Sequence, residues 1–148
     1  EKRDAEKRFV TDFWLVVLAT KQFWENIPPM DDFKKTWKFF KKYNPVVLTA
    51  VPEFVELRMD AIRGKRKWID KYMGEDIPMI HINLNSLKHD KMDKTIYCTG
   101  KDDFLIDDNK LNVESWNKAG GRAIYFSNAK DVIKQFKEMT KHDKQKKS

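Results

Sequence analysis

Apolar residues recur along this chain in short runs, and their spacing alternates between a period of about two and one of about 3.6. Residues 31–43, DDFKKTWKFFKKY, put Phe33, Trp37 and Phe40 at helical spacing, with lysines on the opposite face. Asp31 and Asp32 stand where carboxylates favour a helix start, and Pro28-Pro29 breaks whatever comes before. Asn44-Pro45 stops that helix, and Val46-Val47-Leu48 reads as a short buried strand. Beyond Pro52, residues 53–73 form an amphipathic helix through Phe54, Leu57, Ile62, Trp68, Ile69 and Tyr72, with Gly74 placed to end it. Residues 79–84 alternate toward a strand, and 86–95 read as a polar loop. A second apolar run, Phe104-Leu105-Ile106, ends abruptly in Asp107-Asp108. A helix over 110–118, a stop at Gly120-Gly121, a strand over 123–126 and a helix over 129–140 complete the pattern.

Short apolar strands alternating with helices predict an α/β fold: a three-layer, Rossmann-like parallel sheet with helices on both faces. A length of 148 residues suits a single domain over 1–148, with 141–148 as a basic tail. In such sheets ligands bind beyond the carboxyl ends of the strands. One strand is expected to end at Thr49 and another at Asp107 and Asp108, which marks these positions for chemistry.

Composition narrows the field. Ten Phe, five Trp and four Tyr are too many for a disordered chain. No apolar run reaches the ~18 residues of a spanning helix, so no membrane is expected. The opening EKRDAEKR lacks the apolar core of a secretory signal. A lone cysteine, Cys98, excludes a disulfide framework or a multi-cysteine zinc site and points to a cytoplasmic setting. The net charge of +7 is spread along the chain rather than concentrated. It attracts phosphate in general, but no nucleic-acid motif accompanies it, and solvated helix faces account for most of it.

Two adjacent carboxylates at the end of a buried strand are costly unless compensated, and a hard cation such as Mg²⁺ would compensate them. A helix cap at one Asp and solvent at the other would serve as well. Thr49, just before a helix, has a hydroxyl to offer a phosphate oxygen, although a plain turn residue reads the same. Lys65 lies in the Arg63–Lys67 cluster, whose default is a solvated face. His81 and His89 fall on different elements, which argues against shared metal ligation, and Cys98 has no basic partner to activate it.

In order, these residues carry a resemblance. FWENIPPM (23–30), VVLTAVP (46–52), GKRKWIDKYMG (64–74), FLIDDN (104–109) and ESWNKAGGRAIYF (114–126) resemble the haloacid dehalogenase-like superfamily, within it the 5'(3')-deoxyribonucleotidases and related 5'-nucleotidases. The resemblance covers nearly all of the chain after residue 22, with the family's cap reduced or missing. It implies that Thr49 hydrogen-bonds the transferring phosphoryl group and that Lys65 offsets its negative charge. It implies that Asp107 and Asp108 hold Mg²⁺, with Asp108 as the direct ligand. The implied chemistry is hydrolysis of a phosphate monoester, a (deoxy)nucleoside monophosphate, through an aspartyl-phosphate.

One departure matters. The family's first motif, D-x-D, supplies nucleophile and general acid, and no D-x-D precedes the IPPM stretch, so the nucleophile is unknown. Three expectations follow. Because the chain opens on Glu1, its amino terminus is trimmed, leaving 1–22 as a cap remnant. Alternatively WLVVLA (14–19) is a substitute first strand, with Thr20, Lys21 and Gln22 where the acids belong. Or Asp12 is a displaced nucleophile with Trp14 in the general acid's place, although Phe9, Phe13 and Val17 also share a helical face. In the family the first strand lies between those ending in Thr49 and Asp107. Each buried backbone group left unpaired by its loss costs about 1–3 kcal/mol, so WLVVLA or a partner's strand is expected to fill the place. Two readings of function stand: a Mg²⁺-dependent phosphatase, or a non-catalytic module binding phosphate or protein. Self-association is left open.

Overall fold

The computed structural model describes residues 15–52, 54–83 and 94–145. Residues 15–19 (α1) are helical. Then come α2 (Phe23–Asn26), α3 (Phe33–Phe40) with a 3₁₀ turn at Lys41–Tyr43, β1 (Val47–Val51), α4 (Val55–Tyr72) and β2 (Met79–Asn83). A 3₁₀ turn (Lys94–Tyr97) leads to β3 (Phe104–Asp107), α5 (Lys110–Lys118), β4 (Arg122–Tyr125) and α6 (Ala129–Gln145). The helix expected to fade into a basic tail at 141 instead runs on to Gln145.

The chain thus forms two β-α-β units. In the first, β1 pairs parallel with β2, Thr49 opposite His81; in the second, β3 pairs parallel with β4, Asp107 opposite Tyr125. Both are parallel, as alternating strands and helices require. Among the described residues they make two two-stranded sheets rather than the expected single three-layer sheet. β1 and β3 each have a strand neighbour on one side only. WLVVLA (14–19) or a partner's strand was expected in that place, and the described part of that run, residues 15–19, is helical. Only Val17 is buried there, while Leu15, Val16 and Leu18 are exposed. A helix buries one stripe, whereas a central strand must bury both faces. Thr20 closes this turn, its amide (3.0 Å) and hydroxyl (2.8 Å) both donating to the Val16 carbonyl. Phe9, Asp12, Phe13 and Trp14 lie outside the described residues, as does His89.

Helices cover both faces of the β3–β4 pair. Leu105 and Ala123 point to Trp116 of α5, and Leu48 of β1 packs into the same cluster. On the other face Phe104, Ile106 and Ile124 meet Val132 and Phe136 of α6, joined by Phe39 and Phe40 of α3. The alternation along β3 is the period-two pattern of a strand buried on both sides. Around Phe136 the rings of Phe40, Phe104 and Tyr43 stand 5.1, 4.8 and 4.9 Å away, edge-on or tilted, as aromatic quadrupoles prefer.

α3 also fixes α6 by charge. The Asp32 carboxylate, expected to start its own helix, makes no capping bond there. It accepts instead from the Ala129 amide at 2.9 Å, capping the first turn of α6 from 97 residues away. In the first unit, Arg66 donates to the Ile77 carbonyl (2.6 Å) and to Asp70 (2.8 Å), tying the α4–β2 connection to α4. Gly64 lets α2 lie directly on α4: a Cβ there would stand 2.6 Å from Trp24 Cβ.

Candidate functional site

Thr49 is the middle residue of β1 rather than its end, because the strand continues to Val51 and α4 begins only at Val55. The helix amino terminus expected beside it is therefore elsewhere. Its partner comes from farther along α4, which turns back over the strand. Lys65 Nζ donates to Thr49 Oγ1 at 2.9 Å and to the Ala50 carbonyl at 2.6 Å. The same ammonium lies over the Trp24 ring, 4.9 Å from its centroid. An ammonium has three N–H donors and no acceptor. Two are directed onto β1, which leaves one for a ligand. Burial, and then the positive charge of Lys94, lower the Lys65 pKa from its ordinary 10.5 to about 8. A lysine so placed holds its proton less tightly and gains from an incoming anion.

At the second unit, Asp107 closes β3 and is buried. Its oxygens accept from the Asn109 amide at 2.8 Å, the Asn112 side chain at 3.2 and 3.3 Å, and Lys94 Nζ at 2.5 Å. Both members of the ion pair are largely shielded, with 12% of the Lys94 side chain and 4% of the Asp107 side chain exposed. Asn109 caps α5, its side chain accepting from the Leu111 amide at 2.9 Å. Asp108, by contrast, is exposed.

Lys94 links the halves. It pairs with Asp107 on β3 and its field acts on Lys65 over β1. Leu48 packs into the Leu105–Trp116–Ala123 cluster, so β1 lies against the second unit. Thr49 and Lys65 meet directly, and Asp107 joins them through Lys94.

The compensation expected from Mg²⁺ at Asp107 comes from a side-chain ammonium. Mg²⁺ demands near-ideal octahedral oxygen coordination. Asp107 already has three protein partners, and no group of three or more His, Cys, Asp or Glu converges for a metal among the described residues. This arrangement does not fit a Mg²⁺ held through Asp107. His81 sits on β2, exposed, away from such a cluster. Cys98 is half-buried, its Sγ donating to the Ala119 carbonyl at 3.8 Å.

Lys94 and Asn112 escaped the sequence reading. Lys94 is one of 30 basic residues and falls at the end of a stretch that reads as a polar loop. Asn112 left a signal: with Val113 and Trp116 it lies on the buried side of α5, where an amide needs a partner. Trp24 and Trp68 wall a cavity of about 200 Å³ that also reaches Thr49 and Lys65. No described helix is long and apolar enough to cross a membrane. Against family models, curated proteins and solved structures the chain finds no match.

Proposed function

We propose that this chain recognises a phosphate monoester, with the phosphoryl group held between Lys65 and Thr49, in the manner of the haloacid dehalogenase-like nucleotidases that its motifs resemble. The observation that carries this reading is the Lys65–Thr49 contact of 2.9 Å, made by residues 16 positions apart at a site short of negative charge. A desolvated ammonium with a spare N–H, and a hydroxyl already oriented by that ammonium, form an oxyanion-binding pair. Lys94 adds long-range attraction, although Asp107 neutralises much of it. The phosphate enters as a hydrogen-bond acceptor, and its negative charge favours the charged form of the Lys65 ammonium.

Binding without turnover is the form the geometry favours, because the described residues put no uncommitted carboxylate beside Lys65 to act as nucleophile. Hydrolysis is the second reading, favoured by the exposed Asp108 next to the buried Asp107. Calorimetric titration with inorganic phosphate at pH 7 tests recognition: saturable binding is expected, and Lys65→Met is expected to abolish it. No binding by the wild-type chain would refute the reading. Malachite-green detection of phosphate released from deoxynucleoside monophosphates with Mg²⁺ separates the two forms, and release above blank would establish the second.

A further inference from the structure

The cavity beside Lys65 has a shape that phosphate alone does not explain. Lys65 and Ile69 on α4 and Met73 just past its end recur every four residues, while Val47 and Thr49 stand two apart on β1. The cavity is therefore a slot between strand and helix, polar at the Lys65–Thr49 end and apolar toward Val47 and Met73. Trp24, Ile27 and Trp68 supply its remaining walls. Trp68 is held in place: its indole N–H donates to the Ile27 carbonyl at 2.7 Å, and Phe33 and Tyr72 stack on it at 5.3 and 4.8 Å. Trp24, whose ring carries the Lys65 ammonium, has a buried indole N–H with no hydrogen-bond partner among the described residues.

Volume selects the ligand. An apolar cavity of ~150 Å³ holds a benzene ring, whereas sites for drug-sized ligands begin at ~300 Å³. At about 200 Å³ the slot has room for one ring between its walls, and the rest of a larger ligand would lie outside them. We infer that the ligand of this site is the phosphate ester of a compact, single-ring or short aliphatic alcohol, its phosphate on Lys65 and Thr49 and its apolar body between Trp24, Trp68 and Met73. The inference rests on the phosphate reading above and narrows it to esters whose body the slot can bury.

Calorimetry on the full chain at pH 7 with inorganic phosphate, phenyl phosphate and deoxythymidine monophosphate tests it. Phenyl phosphate is expected to bind about tenfold or more tightly than inorganic phosphate, because ring burial adds to the same anion contact. The nucleotide is expected to gain nothing over inorganic phosphate. Met73→Phe fills the apolar end and is expected to erase the phenyl advantage; Val47→Ile, a milder filling, is expected to reduce it. Equal affinity for phenyl and inorganic phosphate, an advantage that survives both fillings, or an equal gain for the nucleotide would overturn the slot and leave phosphate recognition standing. No binding by any of the three would overturn both.

Discussion

Lys65→Met separates the cost of holding the site charged from the contacts that the lysine makes. The folded chain lowers the Lys65 pKa from 10.5 to about 8, first through desolvation and then through Lys94. That displacement corresponds to about 3 kcal/mol between the two protonation states. Solvent reaches this half-buried side chain, so about 1–2 kcal/mol is the realistic share. Between pH 8 and 10.5 the unfolded chain binds more protons than the folded one, so wild-type stability rises with pH in that window. Below pH 8 the penalty is present in full; above 10.5 it is gone. Methionine has no charge and carries no such penalty at any pH. Its substitution also strips a donor from Thr49 Oγ1 and the Ala50 carbonyl, so the difference at a single pH mixes two effects. Its pH dependence isolates the charge. Urea unfolding of both proteins from pH 7 to 10 is expected to show wild type gaining about 1–2 kcal/mol on the variant. Phosphate at pH 7 is expected to stabilise wild type and not the variant. A difference that stays flat, or that moves the other way, would refute the desolvated-lysine account.

Three further outcomes test the frame around the site. Asp107→Ala leaves Lys94 buried without its counter-charge and is expected to cost about 3–5 kcal/mol; in urea titrations the double variant with Lys94→Met should recover part of this, and additivity would deny the coupling. Gly64→Ala forces α2 away from α4, with an expected loss of about 1–3 kcal/mol. A tryptophan emission shift as Trp24 becomes exposed should accompany the loss, and unchanged stability and emission would show that α2 does not need the close approach. Asp32→Ala removes the acceptor of the Ala129 amide, while Asn128 still caps the Asp131 amide, and should cost about 1 kcal/mol, read as a lower melting temperature; a neutral result would mean that water replaces the carboxylate.

Much of the framework was legible before any coordinates, because local patterns set local structure. The helices over 110–118 and from 129, the strands at 47 and 104, and the end of α4 before Gly74 all follow from periodicity and breakers, which act over a few residues. Thr49 and Lys65 were marked by motif order and do meet. The details around them were not legible. That Thr49 would sit inside its strand depended on how far the β1–β2 ladder ran, which pairing with Met79–Asn83 decided. That Asp107 would be neutralised by Lys94 depended on a loop folding back across 13 residues. WLVVLA is apolar enough for either element; the helix won at 15–19, where a single buried residue sufficed.

The sequence by itself determined most of the strands and helices, 15–19 excepted, and that the strands run parallel, since hydrophobic period and connection length need no distant partner. Only the tertiary structure decided that two sheets form rather than one, that Asp32 caps a helix from the far end of the chain, and which of many lysines lose their water. Those outcomes turn on long-range contacts, and burial of a charge is a property of everything packed around it rather than of its neighbours in the chain.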